Sequence, residues 1–249
     1  DFLALSYVRR AGDLRELRRV LEKLDYHPML VAKIETQQAV REIDEILKVA
    51  DVIMVARGDL GLQMDLEDVP LVQKKIIRKC NEVGRPVITA TQMLESMVNI
   101  ARPTRAEATD VANAILDGTD AVMLSGETAT GKYPIEAVKV MSKIAETAEG
   151  GFDHERHFYS LEALNENTSA VAEAAVQLAT TLKVKAILTT STSGLTPRMV
   201  SKFRPKMPIL CTAWNSATLN QMSIVWGVET ILLESPETTD DVVQKAIDG

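Results

Sequence analysis

Lys33 and Glu35 stand two apart at the end of an apolar run, Met29 to Lys33, and Asp59 follows the next such run, Val52 to Ala56, after Arg57-Gly58. Short apolar runs bounded by polar and Gly positions read as buried strands. Residues two apart on a strand point to the same face, so Lys33 and Glu35 share one. At the ends of successive parallel strands, Glu35 and Asp59 are expected to be neighbours. Two carboxylates there suit a hard divalent cation such as Mg²⁺, and Lys33 adds a fixed positive charge for an anion. Taken singly, each has a plainer reading: an acid at a strand end caps a helix, and a lysine sits on a solvated face. The three in this order carry the chemistry.

Further groups fall on the same rim. Thr91 ends the run Pro86 to Thr91, where a hydroxyl can bond a bound carboxylate or pass a proton. Its spacing serves equally well for a Thr that caps the following turn. Ser125 and Glu127 follow Ala121 to Leu124, placed either for a phosphate or supporting network or for a simple turn around Gly126. Met93, Leu94 and Met97 read as core. His154 and His157 lack nearby partner ligands and read, like His27, as solvent-facing loop residues.

Strand and helix patterns alternate to position these groups. Phe2 to Leu5 is an expected strand. Asp13 to Leu24 is an expected helix with Asp13 as N-cap. Helices are also expected over Thr36 to Val49, with Thr36 as cap, over Leu66 to Val83, over Thr104 to Leu116 and over Pro134 to Ala148. Five β/α units at this spacing indicate a parallel sheet with right-handed crossovers. It is either an open doubly wound sheet or part of an eight-stranded barrel. The chain begins at Asp1 inside an apolar run, which favours the last five β/α units of a TIM-type (β/α)8 barrel, the first three lying outside this sequence.

The expected division is a partial barrel over 1–150, a linker over 151–165, and a small Rossmann-like α/β domain over 166–249, itself incomplete. The last comprises helices Ser169 to Leu182, Pro197 to Phe203, Ser216 to Met222 and Thr239 to Ile247, with strands Ala186 to Thr190, Ile209 to Thr212 and Thr230 to Leu233.

Composition narrows the partners. The chain has 249 residues, 46% of them hydrophobic, and a formal net charge of −7. No basic patch stands out, which argues against nucleic acid. An acidic protein with an anionic substrate must concentrate positive charge locally, which favours a metal. Cys80 and Cys211 are far apart and outside any ligand spacing, so a reducing compartment and no disulfide framework are expected. No signal-peptide pattern and no run of about 18 apolar residues appears, so no membrane partner is expected.

Five motifs in order carry a resemblance: Lys33-Ile-Glu35, M-V-A-R-G-D-L-G at 54–61, T-A-T-Q-M-L-E-S-M at 89–97, R-P-T-R-A-E at 102–107 and M-L-S-G-E-T-A at 123–129. Ser6-Tyr7-Val8-Arg9 and K-F-R-P at 202–205 fit the same series. Over nearly its whole length the sequence resembles the pyruvate kinase family. Thr36 departs from it, since an Asn is frequent there.

The resemblance implies phosphoryl transfer from phosphoenolpyruvate to ADP, giving pyruvate and ATP in glycolysis. It implies Glu35 and Asp59 as ligands of Mg²⁺ or Mn²⁺, and Lys33 as the charge that balances the transferring phosphoryl group and the enolate. It implies the Gly58 and Asp59 backbone N–H groups as donors to the substrate carboxylate. Thr91 becomes a substrate contact and part of the enolate proton relay. It also implies K⁺, with ligands outside this chain, a cytoplasmic homotetramer, and an allosteric sugar-phosphate effector. The turn Ser191-Thr192-Ser193-Gly194 with Thr196 matches the position of that effector's phosphate loop, and hydroxyls and N–H groups at a helix start suit a phosphate. A solvated turn that binds nothing is the equal alternative. Two rival functions stay open: a metal-dependent barrel lyase or aldolase acting on pyruvate-like enolates, and an inactive fragment serving as an effector-binding or assembly module.

Overall fold

The computed structural model describes residues 1–161 and 167–234. Their elements run β1 (Phe2–Val8), α1 (Ala11–Lys23), β2 (Met29–Ile34), α2 (Gln37–Arg41), α3 (Ile43–Leu47), β3 (Val52–Ala56), α4 (Arg57–Leu60), α5 (Val69–Val83), β4 (Val87–Ala90), α6 (Arg105–Leu116), β5 (Ala121–Met123), α7 (Gly126–Ala129) and α8 (Pro134–Glu149). Then follow α9 (His154–Ser160), α10 (Asn167–Leu182), β6 (Ile187–Thr190), α11 (Leu195–Ser201), β7 (Ile209–Ala213), α12 (Ser216–Met222) and β8 (Val228–Leu232).

The chain forms two compact units. One holds Phe2–Cys80 and Pro86–Asp153; the other holds Asp1, Asn81–Arg85 and the residues from His154 onward. The expected helix over Thr239 to Ile247 lies outside the described residues, as do positions 162–165 of the expected linker.

In the first unit, β1 to β5 form one parallel sheet in the order β1-β2-β3-β4-β5. A doubly wound sheet reverses direction at a switch point, and this one does not. Sequential order is how a TIM-type barrel winds. All five residues of β3 are buried, as parallel strands covered on both faces require. Met93, Leu94 and Met97 are core, packed with Val111 and Ala114 of α6 and Ala137 and Met141 of α8.

Local chemistry explains several helix starts. Thr36 caps α2 by accepting from the Ala39 N–H at 3.1 Å. Thr104 and Glu107 make a reciprocal capping box on α6. Burial pushes the Glu107 carboxyl up, but hydrogen bonds from Ser96 and Thr104 outweigh it and hold the group below its usual range. Asp13 is not the N-cap of α1 as expected. The helix begins two residues earlier, and the Asp13 carboxylate in its first turn accepts from the Arg9 N–H at 2.8 Å and the Arg10 N–H at 3.2 Å. The single helix expected over Thr36 to Val49 is two, broken at Glu42 (φ −93°, ψ 11°).

The second unit has a three-stranded parallel sheet in the order β6-β7-β8. Its core joins Val176 of α10, Met199 and Val200 of α11, Phe203 and Ile209, with Phe158 of α9 against it. His154 and His157 are not solvent-facing. They belong to α9 and are half-buried, with His154 Nδ1 2.7 Å from the Arg204 carbonyl and His157 Nε2 3.0 Å from the Lys202 carbonyl. A carbonyl only accepts, so each imidazole donates. Their i, i+3 spacing, followed by Phe158, puts all three on one helix face, which is why they turn inward. His27 is exposed, as expected, beside Asp25 at 3.3 Å.

Candidate active site

Strand register sets the rim. β2 pairs with β3 so that Ile34 lies opposite Val55, and β3 with β4 so that Ala56 lies opposite Ala90. Glu35 is therefore level with Ala56 and Ala90, and both Thr91 and the turn beginning at Arg57 follow one residue further along the same rim.

At the β1–β2 end, Lys33 Nζ lies 2.6 Å from Glu35 Oε1 and donates to Ser6 Oγ at 2.9 Å. Tyr7 has a left-handed backbone (φ 54°), and its N–H donates to Glu35 Oε2 at 2.7 Å. Glu35 is 1% exposed. A buried carboxylate needs such partners, because burying an unpaired charge is expensive. Each of its oxygens takes one of them, and an ionised carboxylate offers about four lone-pair sites, so acceptor capacity is left.

At the β3–β4 end, Gly58 and Asp59 do not form a simple turn. They lie in the one-turn helix α4. The Gly58 N–H donates to Thr91 Oγ1 at 2.8 Å, and that hydroxyl donates to the Ala90 carbonyl at 2.6 Å. A Cβ on Gly58 would stand 3.4 Å from Thr91 Oγ1, an ordinary van der Waals contact. Asp59 is half-buried.

Thr91 and Gln92 both have left-handed backbones (φ 67° and 53°). For residues with a side chain this costs roughly 1–3 kcal/mol each and persists only where the surroundings impose it. Arg57, 7% exposed, lies against this segment. Its Nη2 donates to the carbonyls of Thr91 (2.7 Å) and Gln92 (2.9 Å), and its Nε also reaches the Thr91 carbonyl (3.1 Å). Nη1 is anchored on Asp110 at 2.6 Å and Gln73 at 3.4 Å. Glu127, fully buried, accepts from the N–H groups of Leu94 (3.0 Å) and Ser125 (2.8 Å). It is an anchor for the rim segment, as the turn reading of Ser125 and Glu127 allows. Sequence reasoning missed Arg57, because the acid that anchors it lies 53 residues away on α6.

Ser191 to Thr196 belong to the other unit. Ser191 is buried and its hydroxyl accepts from the Gly194 N–H at 2.9 Å, closing the turn. Gly194 takes the left-handed conformation (φ 72°). Thr192, Ser193 and Thr196 are exposed, the last within α11.

The donor set fits a divalent cation. Glu35 and Asp59 offer oxygen only, and among the described residues no group of three or more His, Cys, Asp or Glu is gathered. Mg²⁺ uses one or two carboxylates and completes its shell with water and substrate oxygens.

Residues 1–138 match the family description "Pyruvate kinase, barrel domain", and residues 169–249 match "Pyruvate kinase, alpha/beta domain". The chain belongs to the pyruvate kinase family. It is 52% identical over 253 residues to a pyruvate kinase of Geobacillus stearothermophilus, covering 100% of this chain and 43% of that protein. It is 48% identical over 252 residues to one from Sporosarcina psychrophila, with the same coverage. A solved pyruvate kinase from Cryptosporidium parvum superposes with a TM-score of 0.95 at 39% identity, covering 100% of this chain and 53% of that one. The chain thus spans less than half the length of these curated pyruvate kinases. Its first unit is the pyruvate kinase barrel in part, and its second the family's α/β domain.

Proposed function

We propose that the protein carrying this chain transfers the phosphoryl group of phosphoenolpyruvate to ADP, giving pyruvate and ATP. The observation that supports this best is the Lys33–Glu35 pair, bonded to the β1 end on the same strand-end rim as the segments that carry Asp59 and Thr91, in a chain of this family. Phosphoryl transfer asks for positioning and charge neutralisation more than for covalent chemistry.

Glu35 and Asp59 would hold Mg²⁺ or Mn²⁺, which when bound supplies Lewis-acid charge neutralisation for oxygens of the substrate. Lys33, fixed by Ser6 and Glu35, carries the positive charge that faces the phosphoryl group as its bond to the enol oxygen breaks. The ADP β-phosphate oxygen takes the phosphorus, and carbon 3 of the enolate then takes a proton, with the Thr91 hydroxyl in the relay. The Gly58 and Asp59 N–H groups lie in the first turn of α4, where N–H groups lack intrahelical acceptors. They would bind the substrate carboxylate, which joins Thr91 Oγ1 in drawing on the Gly58 N–H.

The proposal extends to K⁺ as a second cofactor, to which no residue here is assigned. It also covers a cytoplasmic homotetramer and a sugar-phosphate effector at Ser191, Thr192, Ser193, Gly194 and Thr196. The division into a barrel part over 1–150, a linker over 151–165 and an α/β regulatory domain over 166–249 belongs to the same reading. Among the described residues no helix is long and apolar enough to cross a membrane.

The test is a Mg²⁺ titration of pyruvate formation in the full-length protein and its Glu35→Gln variant. The variant should need at least about tenfold more Mg²⁺, as loss of a charged ligand or its support commonly demands. An unchanged titration would remove Glu35 from the metal site, and no pyruvate from the parent would overturn the reaction.

A further inference from the structure

The segment Thr91 to Leu94 is held from two sides by opposite buried charges. Arg57 takes the carbonyls of Thr91 and Gln92 and reaches Met93 Sδ at 2.9 Å. Glu127 takes the Leu94 N–H. Neither charge is spent on the other: Arg57 is neutralised by backbone carbonyls and Asp110, and Glu127 by backbone N–H groups. The two left-handed residues lie inside this grip, and the Thr91 hydroxyl emerges from it aimed at Gly58, the residue that follows Arg57 in α4.

We propose that Arg57 is a positioning residue, whose guanidinium fork sets the left-handed backbone of Thr91 and Gln92 and thereby holds the Thr91 hydroxyl against the Gly58 N–H. This rests on the reading above that Thr91 and Gly58 meet the substrate. The fork matters because one planar group reaches two carbonyls and a carboxylate at once, which a lysine ammonium cannot do with the same fixed geometry. Because Arg57 and Gly58 are adjacent in one turn of helix, moving the guanidinium moves both partners of the Thr91–Gly58 bond.

The test uses the full-length protein with Arg57→Gln, Arg57→Lys, Thr91→Val and the Arg57→Gln/Thr91→Val double variant. The readouts are kcat and KM for phosphoenolpyruvate, thermal midpoint, and hydrogen exchange at the Gly58 amide. Arg57→Gln should lower kcat/KM by roughly 10–100-fold, as misplacement of about 1 Å in a reacting site does. The double variant should be no worse than Thr91→Val alone within about twofold, since residues acting through one contact are not additive. Arg57→Lys should keep the thermal midpoint closer to the parent's without restoring kcat/KM. Fully additive losses, or rescue by lysine, would overturn the proposal. Should Arg57→Gln fail to fold, Asp110→Asn replaces it. Asp110 is 40% exposed, so the change loosens the fork without emptying the core, and a few-fold loss absent in the Thr91→Val background is expected. If the parent makes no pyruvate, the reaction falls but this proposal is still decided. Faster Gly58 exchange in both Arg57→Gln and Thr91→Val supports it, and unchanged exchange overturns it.

Discussion

His157 shows how one ring ties pH to stability. Burial pushes its imidazole down to about 4 from the usual 6.5, and the nearby Arg204 charge pushes the same way, against the bond to the Lys202 carbonyl. The unfolded ring takes its proton near pH 6.5, the folded one only near 4. Between these values the unfolded state binds more protons, so stability is fully present above about pH 6.5 and falls as pH drops towards 4. The slope reaches at most about 1.4 kcal/mol per pH unit. Urea unfolding across this window should therefore be flatter for His157→Gln, which keeps a donor for Lys202 but does not titrate. An equal slope in both proteins would assign the pH dependence elsewhere. The position of His157 was readable in the sequence only as a face: His154, His157 and Phe158 fit one side of a helix, yet seven residues are too few for periodicity to declare one.

At the level of elements, short pieces do most of the positioning. α7 is four residues long and carries Glu127 to the N–H groups of Leu94 and Ser125. A Cβ on Gly131 would lie 2.3 Å from the Glu127 carbonyl oxygen, closer than any real contact. Gly131→Ala must shift α7, and a loss of about 1–3 kcal/mol is expected, read as a lower urea midpoint. A midpoint equal to the parent's would show that α7 adapts freely. Long elements were legible. α6 and α8 lie within a residue of where their patterns put them. One-turn helices such as α4 were not, because four residues cover a single period and leave no repeat to read. The break at Glu42 was also hidden, since the apolar positions on either side keep helical spacing.

For the molecule as a whole, sequential strand order decides between the two sheets that β/α alternation allows, and it is the pairing of β1 to β5 that supplies it. The order also explains why residues far apart in sequence meet: Ser6, Lys33 and Glu35 bond across β1 and β2, and Gly58 and Thr91 across β3 and β4. The motifs made Lys33, Glu35, Asp59 and Thr91 visible as a set, because each follows an apolar run. The Arg57–Asp110 anchor needed three dimensions. Curated pyruvate kinases extend well beyond this chain, which covers 43% of the Geobacillus protein, so activity is a property to measure on the full-length protein. The most direct measurement is phosphoryl transfer from phosphoenolpyruvate to ADP, with Mg²⁺ and K⁺, by the full-length protein and its Lys33→Met variant. Pyruvate and ATP should form in equal amounts with the parent. The variant should lose at least about 100-fold in kcat, as removal of one preorganised electrostatic group commonly does, while Mn²⁺ binding persists. Equal turnover by the two proteins would contradict the role given to Lys33 and, with it, the account of this site.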